Sequence, residues 1–253
     1  MFERNLITAF HQTSERFYPG INNIKPGYFF DIIDLCREWG FDFWNRDLAD
    51  GEKTGCQTIT ITFDDGYADN FEILIRLCEQ RITPLLFVPT GYIGRKNSWE
   101  YSSSLFPAHH LDESQLRQLT DKGVIIGSHG VSHRSFTSMS RDRVVQELTD
   151  SRKRLEDITG TEIEYLSFPF GRSSRVINKQ TQNCGYRFAF GLDGDRREGI
   201  NDDFVIPRTA IYGLDDYFSL HGKIVSGSKM ERFKNRTIND LAAGTIIFSG
   251  RLN

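Results

Sequence analysis

Two aspartates stand side by side in TITITFDDGYADN, residues 58–70, at the end of an alternating strand. One acid in a turn or at a helix cap is ordinary; turn chemistry explains a second poorly, because like charges repel. Asp64 and Asp65 are therefore site candidates. In SHGVSH, residues 128–133, His129 and His133 lie four apart. Two imidazoles at that spacing on a helical turn can grip one ion, although Gly130 and Ser132 favour a tight turn over a mid-helix position. Alone the motif is weak, since such pairs are more often ordinary surface or capped histidines. An acidic third ligand from another strand end would complete a His-His-Asp set. Three protein ligands leave one position open, the pattern of catalytic zinc. One carboxylate of the pair can then ligate the ion while its neighbour stays free as a base for water. A cation there also removes the repulsion between adjacent acids.

Such residues need a frame that brings distant stretches together. Strand-like and helix-like segments alternate along the chain. NLITAF is followed by GYFFDIIDLCREWGF, CQTITITF by ADNFEILIRLCEQR, and TPLLFVP by DESQLRQLTDKG. VIIGSH precedes the long SRDRVVQELTDSRKRLEDITG, and IEYLSFPFG precedes SRVINKQTQNCG. YRFAFG, DFVIPRTAI and GTIIFSG read as further strands, with LDDYFSLHGKIV as a helix. Helix caps are expected at Asp69 or Asn70, and helix stops at Gly123 and Gly160. This alternation predicts an α/β fold with a mostly parallel sheet. The number of units favours a barrel and leaves an open doubly wound sheet as the alternative; no Gly-rich nucleotide loop supports the latter.

In a parallel barrel the C-terminal strand ends share one rim. Four such ends carry conspicuous groups: His11 after NLITAF, Asp64 and Asp65 after TITITF, His129 after VIIGS, and Pro169, Phe170 and Gly171 after EYLSF. The long loop over residues 92–110 holds Trp99, Tyr101 and Phe106, which either line a sugar-binding groove or merely pin the loop.

The bulk properties exclude several classes. The chain has 253 residues, 38% hydrophobic and 26% charged, with a formal net charge of -3. That suits one domain over residues 1–253 and gives no electrostatic case for nucleic-acid binding. No run approaches the roughly 18 apolar residues of a membrane span. The opening MFERNLITAFHQ lacks a basic stretch followed by an apolar one, so a cytoplasmic location is expected. Cys36, Cys56, Cys78 and Cys184 are scattered, as free thiols in a reducing compartment would be.

TFDDG, HGVSH and SFPFG, in this order, resemble the polysaccharide deacetylase family, also called carbohydrate esterase family 4. The likeness runs over about residues 58 to 190. It implies a distorted (β/α)7-type barrel and metal-dependent removal of acetyl groups from N-acetylated sugars. By this resemblance Asp64 matches the catalytic base, and Asp65, His129 and His133 the ligands of one divalent metal. Zinc is the default, with cobalt and nickel as alternatives. The backbone at Pro169, Phe170 and Gly171 matches the segment that helps hold the oxyanion.

The chain departs from the family pattern twice. Ser167 stands where the family often has an arginine that orients the base, and Ser249, in GTIIFSG, where it often has a histidine general acid. A closed barrel makes first and last strands neighbours, so His11 can fill the second vacancy. This looks like the permuted branch of the family. Arg208, in IPRTAI, is the candidate for the first. The expected partner is an N-acetylated sugar or oligosaccharide from a polysaccharide or its precursor, such as a surface polysaccharide or O-antigen. An O-acetyl esterase and a catalytically impaired carbohydrate-binding relative are the alternatives; oligomeric state is not legible.

Overall fold

Alternation within each strand decides what faces the middle of the molecule. A computed structural model describes residues 6–18, 20–46, 57–99, 107–192 and 204–249, the last ten by their backbone alone. In chain order the elements are β1 (Leu6–Phe10), β2 (Gln12–Thr13), β3 (Asn23–Ile24), α1 (Pro26–Glu38), β4 (Asp42–Phe43), β5 (Thr58–Phe63) and α2 (Phe71–Glu79). Then follow β6 (Leu85–Val88), α3 (Glu113–Asp121), β7 (Ile125–Ser128), α4 (Arg141–Thr159), β8 (Tyr165–Ser167) and α5 (Arg175–Asn183). Last come β9 (Phe188–Leu192), β10 (Val205–Ala210), α6 (Tyr217–Ile224) and α7 (Lys229–Ser249).

The strands run in the order β1-β10-β9-β8-β7-β6-β5, and β5 pairs back to β1, closing a seven-stranded parallel ring. This is the (β/α)7-like barrel expected from the motifs. β1 holds both ends of the ring together, with Thr8 opposite Thr209 of β10 and Phe10 opposite Phe63 of β5. The short β4 pairs with the start of β5, while β6 pairs with its end. Trp44, just after β4, accepts from Thr83 N at 3.0 Å and donates to Ile59 O at 2.9 Å, filling the gap where β5 and β6 diverge.

Successive strand residues point to opposite faces. Ile7, Leu85, Phe87, Ile125 and Phe190 form a buried cluster inside the ring. Phe10, Ile59, Ile61, Phe63, Leu86 and Ile126 face outward into the larger core under the helices. There α1 contributes Phe29, Ile32, Ile33 and Cys36 at helical spacing. Each fully buried aromatic or aliphatic side chain contributes about 1.5–3 kcal/mol. Gly127 of β7 faces inward, where an added Cβ would lie 2.6 Å from the Phe87 ring.

Two helix signals behave as expected. α3 ends at Asp121, with Gly123 just beyond it at φ 99, and α4 stops at left-handed Gly160. Two other expectations are corrected. Asn70 stands at the N-cap position of α2, but its side chain makes no capping bond: its Oδ1 instead accepts from Thr13 N and Oγ1 at 2.8 and 2.7 Å, and its Nδ2 donates to His11 O at 2.7 Å. Asp69 accepts from Gln12 Nε2 at 2.7 Å. GTIIFSG is not a strand either. Apart from its last glycine, Gly250, which lies outside the described residues, it belongs to α7. Its short apolar run fits both states equally. The ring offers it no edge, because β1 already occupies the place between β10 and β5. Ser249 therefore does not stand on a final barrel strand. Among the described residues no helix is long and apolar enough to cross a membrane. Cys36, Cys78 and Cys184 are free thiols; Cys56 lies outside the described residues.

Candidate active site

The inward parity of β5, carried one residue past Phe63, aims Asp64 into the ring. Asp64 N donates to Phe10 O at 2.9 Å, extending the β1–β5 ladder to the rim. Beneath the carboxylate lies Arg208 of β10, whose side chain is 0% exposed. Its two terminal nitrogens donate to Asp64 Oδ1 and Oδ2, both at 2.8 Å, a bidentate pair. The same guanidinium donates to Thr62 Oγ1 at 2.9 Å, to Ser167 Oγ at 2.7 Å and to Gly191 O at 3.3 Å. It also sits over the rings of Phe87 and Phe190. A buried cation and a buried anion thus satisfy each other, which burial demands. Burial alone would raise the Asp64 carboxyl, but Arg208 and then His129 outweigh it and hold it below its usual value. The guanidinium standing against Ser167 comes from a strand two places round the ring.

Asp65 would point away from Asp64 if the strand simply continued. It does not, because Asp65 has φ 70, in the left-handed region. This turns its side chain toward the end of β7. Asp65 Oδ1 lies 3.5 Å from His129 Nε2 and 3.0 Å from His133 Nε2. The ligand atoms of the three residues all fall within 4.8 Å of one another. His129 Nδ1 is 2.8 Å from Ser167 O. A carbonyl oxygen only accepts, so Nδ1 carries the hydrogen and Nε2 presents its lone pair to Asp65. Asp65 Oδ1 and His133 Nδ1 are buried without hydrogen-bond partners. Lone pairs converging on an unsatisfied carboxylate oxygen are a donor set that fits one divalent cation. Burial would raise the Asp65 carboxyl, but His133 and His129 hold it well below its usual value. Burial lowers the His133 imidazole, whereas at His129 the two carboxylates overcome burial and raise it.

The loop carrying both histidines is held from two sides. Thr90 N donates to Gly130 O at 3.0 Å and Gly91 N to Val131 O at 2.9 Å. Opposite them, the buried Glu147 of α4 accepts from Val131 N and Ser132 N through Oε2, each at 2.8 Å, and from Arg143 through Oε1 at 3.0 Å. Gly130 has φ +76, and a Cβ there would lie 3.1 Å from Phe136 and 3.3 Å from Glu147 Oε2. His133 is left-handed at φ 52, as is Phe170 at φ 62 in the Pro169–Gly171 turn. Each such residue costs roughly 1–2 kcal/mol, so the surroundings must over-determine the rim.

The other expected residues stand nearby. His11 continues the inward parity of Ile7 and Ala9, and its Nδ1 is buried without a partner. The Phe170 ring lies 5.1 Å from that of His133, and Trp99 stacks on His133 at 4.1 Å. Tyr101 and Phe106 lie outside the described residues. Sequence reasoning passed over His110. It is buried, stacks on Tyr67 at 4.9 Å, and sets its Nδ1 2.7 Å from Asp65 O. Burial pushes its pKa down to about 4, so it is neutral at ordinary pH. Glu147 was equally invisible, since its place on a charged helix face reads as solvated. The one signal for His110 is its place in a pair, His109-His110, closing a loop rich in aromatics.

The fold is thus a (β/α)7-like barrel whose C-terminal rim carries an Asp-His-His cluster that could hold a metal ion. The polysaccharide deacetylase family model matches residues 51–189, more than half of the chain, and the chain belongs to that family. It is 30% identical over 138 residues to the peptidoglycan-N-acetylmuramic acid deacetylase PdaA of Bacillus subtilis (strain 168), covering 53% of this chain and 46% of that protein. The chain spans about half the length of the curated relatives it matches. Among solved structures, the Streptococcus pyogenes deacetylase PplD in complex with acetate superposes with a TM-score of 0.66 at 17% identity, over 83% of this chain and 93% of that one. IcaB from Ammonifex degensii does so with a TM-score of 0.66 at 17% identity, over 85% and 93%. These two likenesses concern the fold. His11 and Arg208 lie outside the family-matched stretch.

Proposed function

We propose that this chain is a metal-dependent carbohydrate N-deacetylase that hydrolyses the acetamide of an N-acetylated sugar in a polysaccharide or its precursor. The observation that carries this reading is the pairing, on one rim, of an Asp-His-His donor set with a second carboxylate kept ionised by its own buried arginine. Asp65, His129 and His133 would hold the ion, with zinc as the first choice. When bound, a divalent cation acts as a Lewis acid on an acyl carbonyl and makes water acidic enough to lose a proton near neutral pH. Asp64 is placed to accept a proton from a water molecule as the water oxygen attacks the acetyl carbon. Arg208 holds its carboxylate in one orientation and keeps it ionised beforehand. The Pro169–Gly171 turn lines the side where negative charge develops on the carbonyl oxygen. His11 donates a proton to the sugar nitrogen as the C–N bond breaks, leaving acetate and a free amine. That places the general acid on the first strand and the arginine on the last, the arrangement of a permuted family member.

PdaA acts, by its name, on N-acetylmuramic acid of peptidoglycan, so an N-acetylated hexosamine unit is the substrate class to try first. The test is acetate release from N-acetylated oligosaccharides with zinc, cobalt or nickel supplied, beside the O-acetylated counterparts. Release from the amide substrates that requires metal and is abolished by Asp64→Asn supports the reading. Release from esters alone makes the chain an esterase, and sugar binding without release makes it a carbohydrate-binding relative.

A further inference from the structure

Asp65 owes its direction to a backbone conformation that a residue with a side chain rarely adopts, so something must hold it there. Part of the hold is a splint formed by residues 109–111. Ala68 N donates to His109 O at 2.8 Å and Leu111 N to Gly66 O at 2.9 Å. Between these bonds the His110 imidazole reaches the carbonyl of Asp65 itself, Nδ1 to O, at 2.7 Å. The carbonyl can only accept, so His110 donates and its tautomer is fixed. The ring is clamped by Tyr67 at 4.9 Å, Trp99 at 4.9 Å and Tyr92 at 5.4 Å. Trp99 in turn lies on His133 at 4.1 Å. One imidazole therefore touches the main chain of the acidic ligand and shares an aromatic neighbour with a histidine ligand.

We infer that His110 is a positioning residue for the ion site: its Nδ1–H locks the Asp65 peptide so that the carboxylate faces His129 and His133. This rests on the metal-binding reading above. It differs from a packing role because two substitutions separate the hydrogen bond from the stack. His110→Phe keeps a ring between Tyr67 and Trp99 and loses the donor. His110→Asn keeps an N–H close to the Nδ1 position and loses the ring. Groups that orient ligands typically change metal affinity 10–100-fold when removed.

The measurement is zinc affinity of the metal-free full chain, by competition with a chromophoric chelator, alongside thermal melts without zinc. The expected result is an affinity about tenfold or more lower for His110→Phe and within about threefold of wild type for His110→Asn. The reverse order, or equal affinities in all three proteins, overturns the inference. If His110→Phe does not fold, His110→Asn decides: near-wild-type affinity supports the hydrogen-bond role, and a tenfold loss overturns it. If the unsubstituted chain binds no zinc, cobalt or nickel, the ion-site reading itself fails and takes this inference with it.

Discussion

Arg208 of β10 and Asp64 at the end of β5 are joined by two parallel hydrogen bonds of 2.8 Å inside the barrel, although 144 residues separate them. Among the described residues the ion pair of each of these two side chains is the one they make with each other. Replacing Arg208 by Met leaves a buried, uncompensated carboxylate, and the expected loss is about 3–5 kcal/mol at neutral pH, measured by urea denaturation. The sign with pH is fixed by the direction of the shift. Arg208 holds Asp64 below its usual value, so the ionised carboxylate stabilises the native state above the unfolded-state pKa. That contribution is lost as pH falls through the depressed native value. Without the arginine, burial pushes the Asp64 carboxyl up, so the gap between variant and wild type narrows in acid. The acid limb of deacetylation moves to higher pH by the same logic. A gap independent of pH would contradict this.

Metal removal should be visible in stability as well as activity. A ligand that binds only the folded state stabilises it by about 2.7 kcal/mol at one hundred times its Kd. Zinc is expected to raise the melting temperature of chelator-treated protein in a concentration-dependent way. Asp65→Asn and His133→Ala should abolish that response; a response that survives both would place the ion elsewhere.

His11→Ala is expected to lower kcat on an N-acetylated sugar by about 10²-fold or more. On an aryl acetate ester, whose leaving group needs no proton, the same variant should lose little. Zinc affinity should stay near wild type, because His11 is not in the ligand set. Equal losses on both substrates would remove His11 from the role of acid.

Glu147 ties two backbone N–H groups of the histidine loop to α4. Glu147→Ala leaves both donors without their acceptor, at an expected cost of about 2–4 kcal/mol, while Glu147→Gln keeps an acceptor oxygen and should cost less. Equal melts for the two variants would show that the loop holds its shape without this carboxylate.

Much of this arrangement is legible in the sequence because parallel strand ends share a rim. TITITF and VIIGS each reveal a strand by composition, and a candidate ligand, Asp65 or His129, lies just beyond the strand's end. The structure brings Asp65, His129 and His133 together there, and sets Arg208 against Ser167. The backbone that aims Asp65 is not legible, since a left-handed aspartate leaves no mark beyond the following glycine. His110 and Glu147 act on main-chain atoms of other segments, and hydrogen bonds to a distant backbone have no sequence period. GTIIFSG misleads for a different reason: its run of three apolar residues, Ile246, Ile247 and Phe248, fits a strand or a helix end equally. Only the closure of the ring by β1 decides between them. Asn70 likewise fits a helix cap locally, yet three longer-range hydrogen bonds claim it.

The ring's closure through β1 also means that the candidate site is not a portable cassette. A fragment trimmed to residues 51–189 would retain all three convergent ligands and the loop that Glu147 braces. It would lack β1 and β10, so β5 would present a raw edge where it now meets β1. Asp64 would sit without its guanidinium, facing an opened lumen. The segment that the family model matches carries the Asp-His-His set; the two staves outside it close the wall around Asp64 and supply the guanidinium that aims its carboxylate.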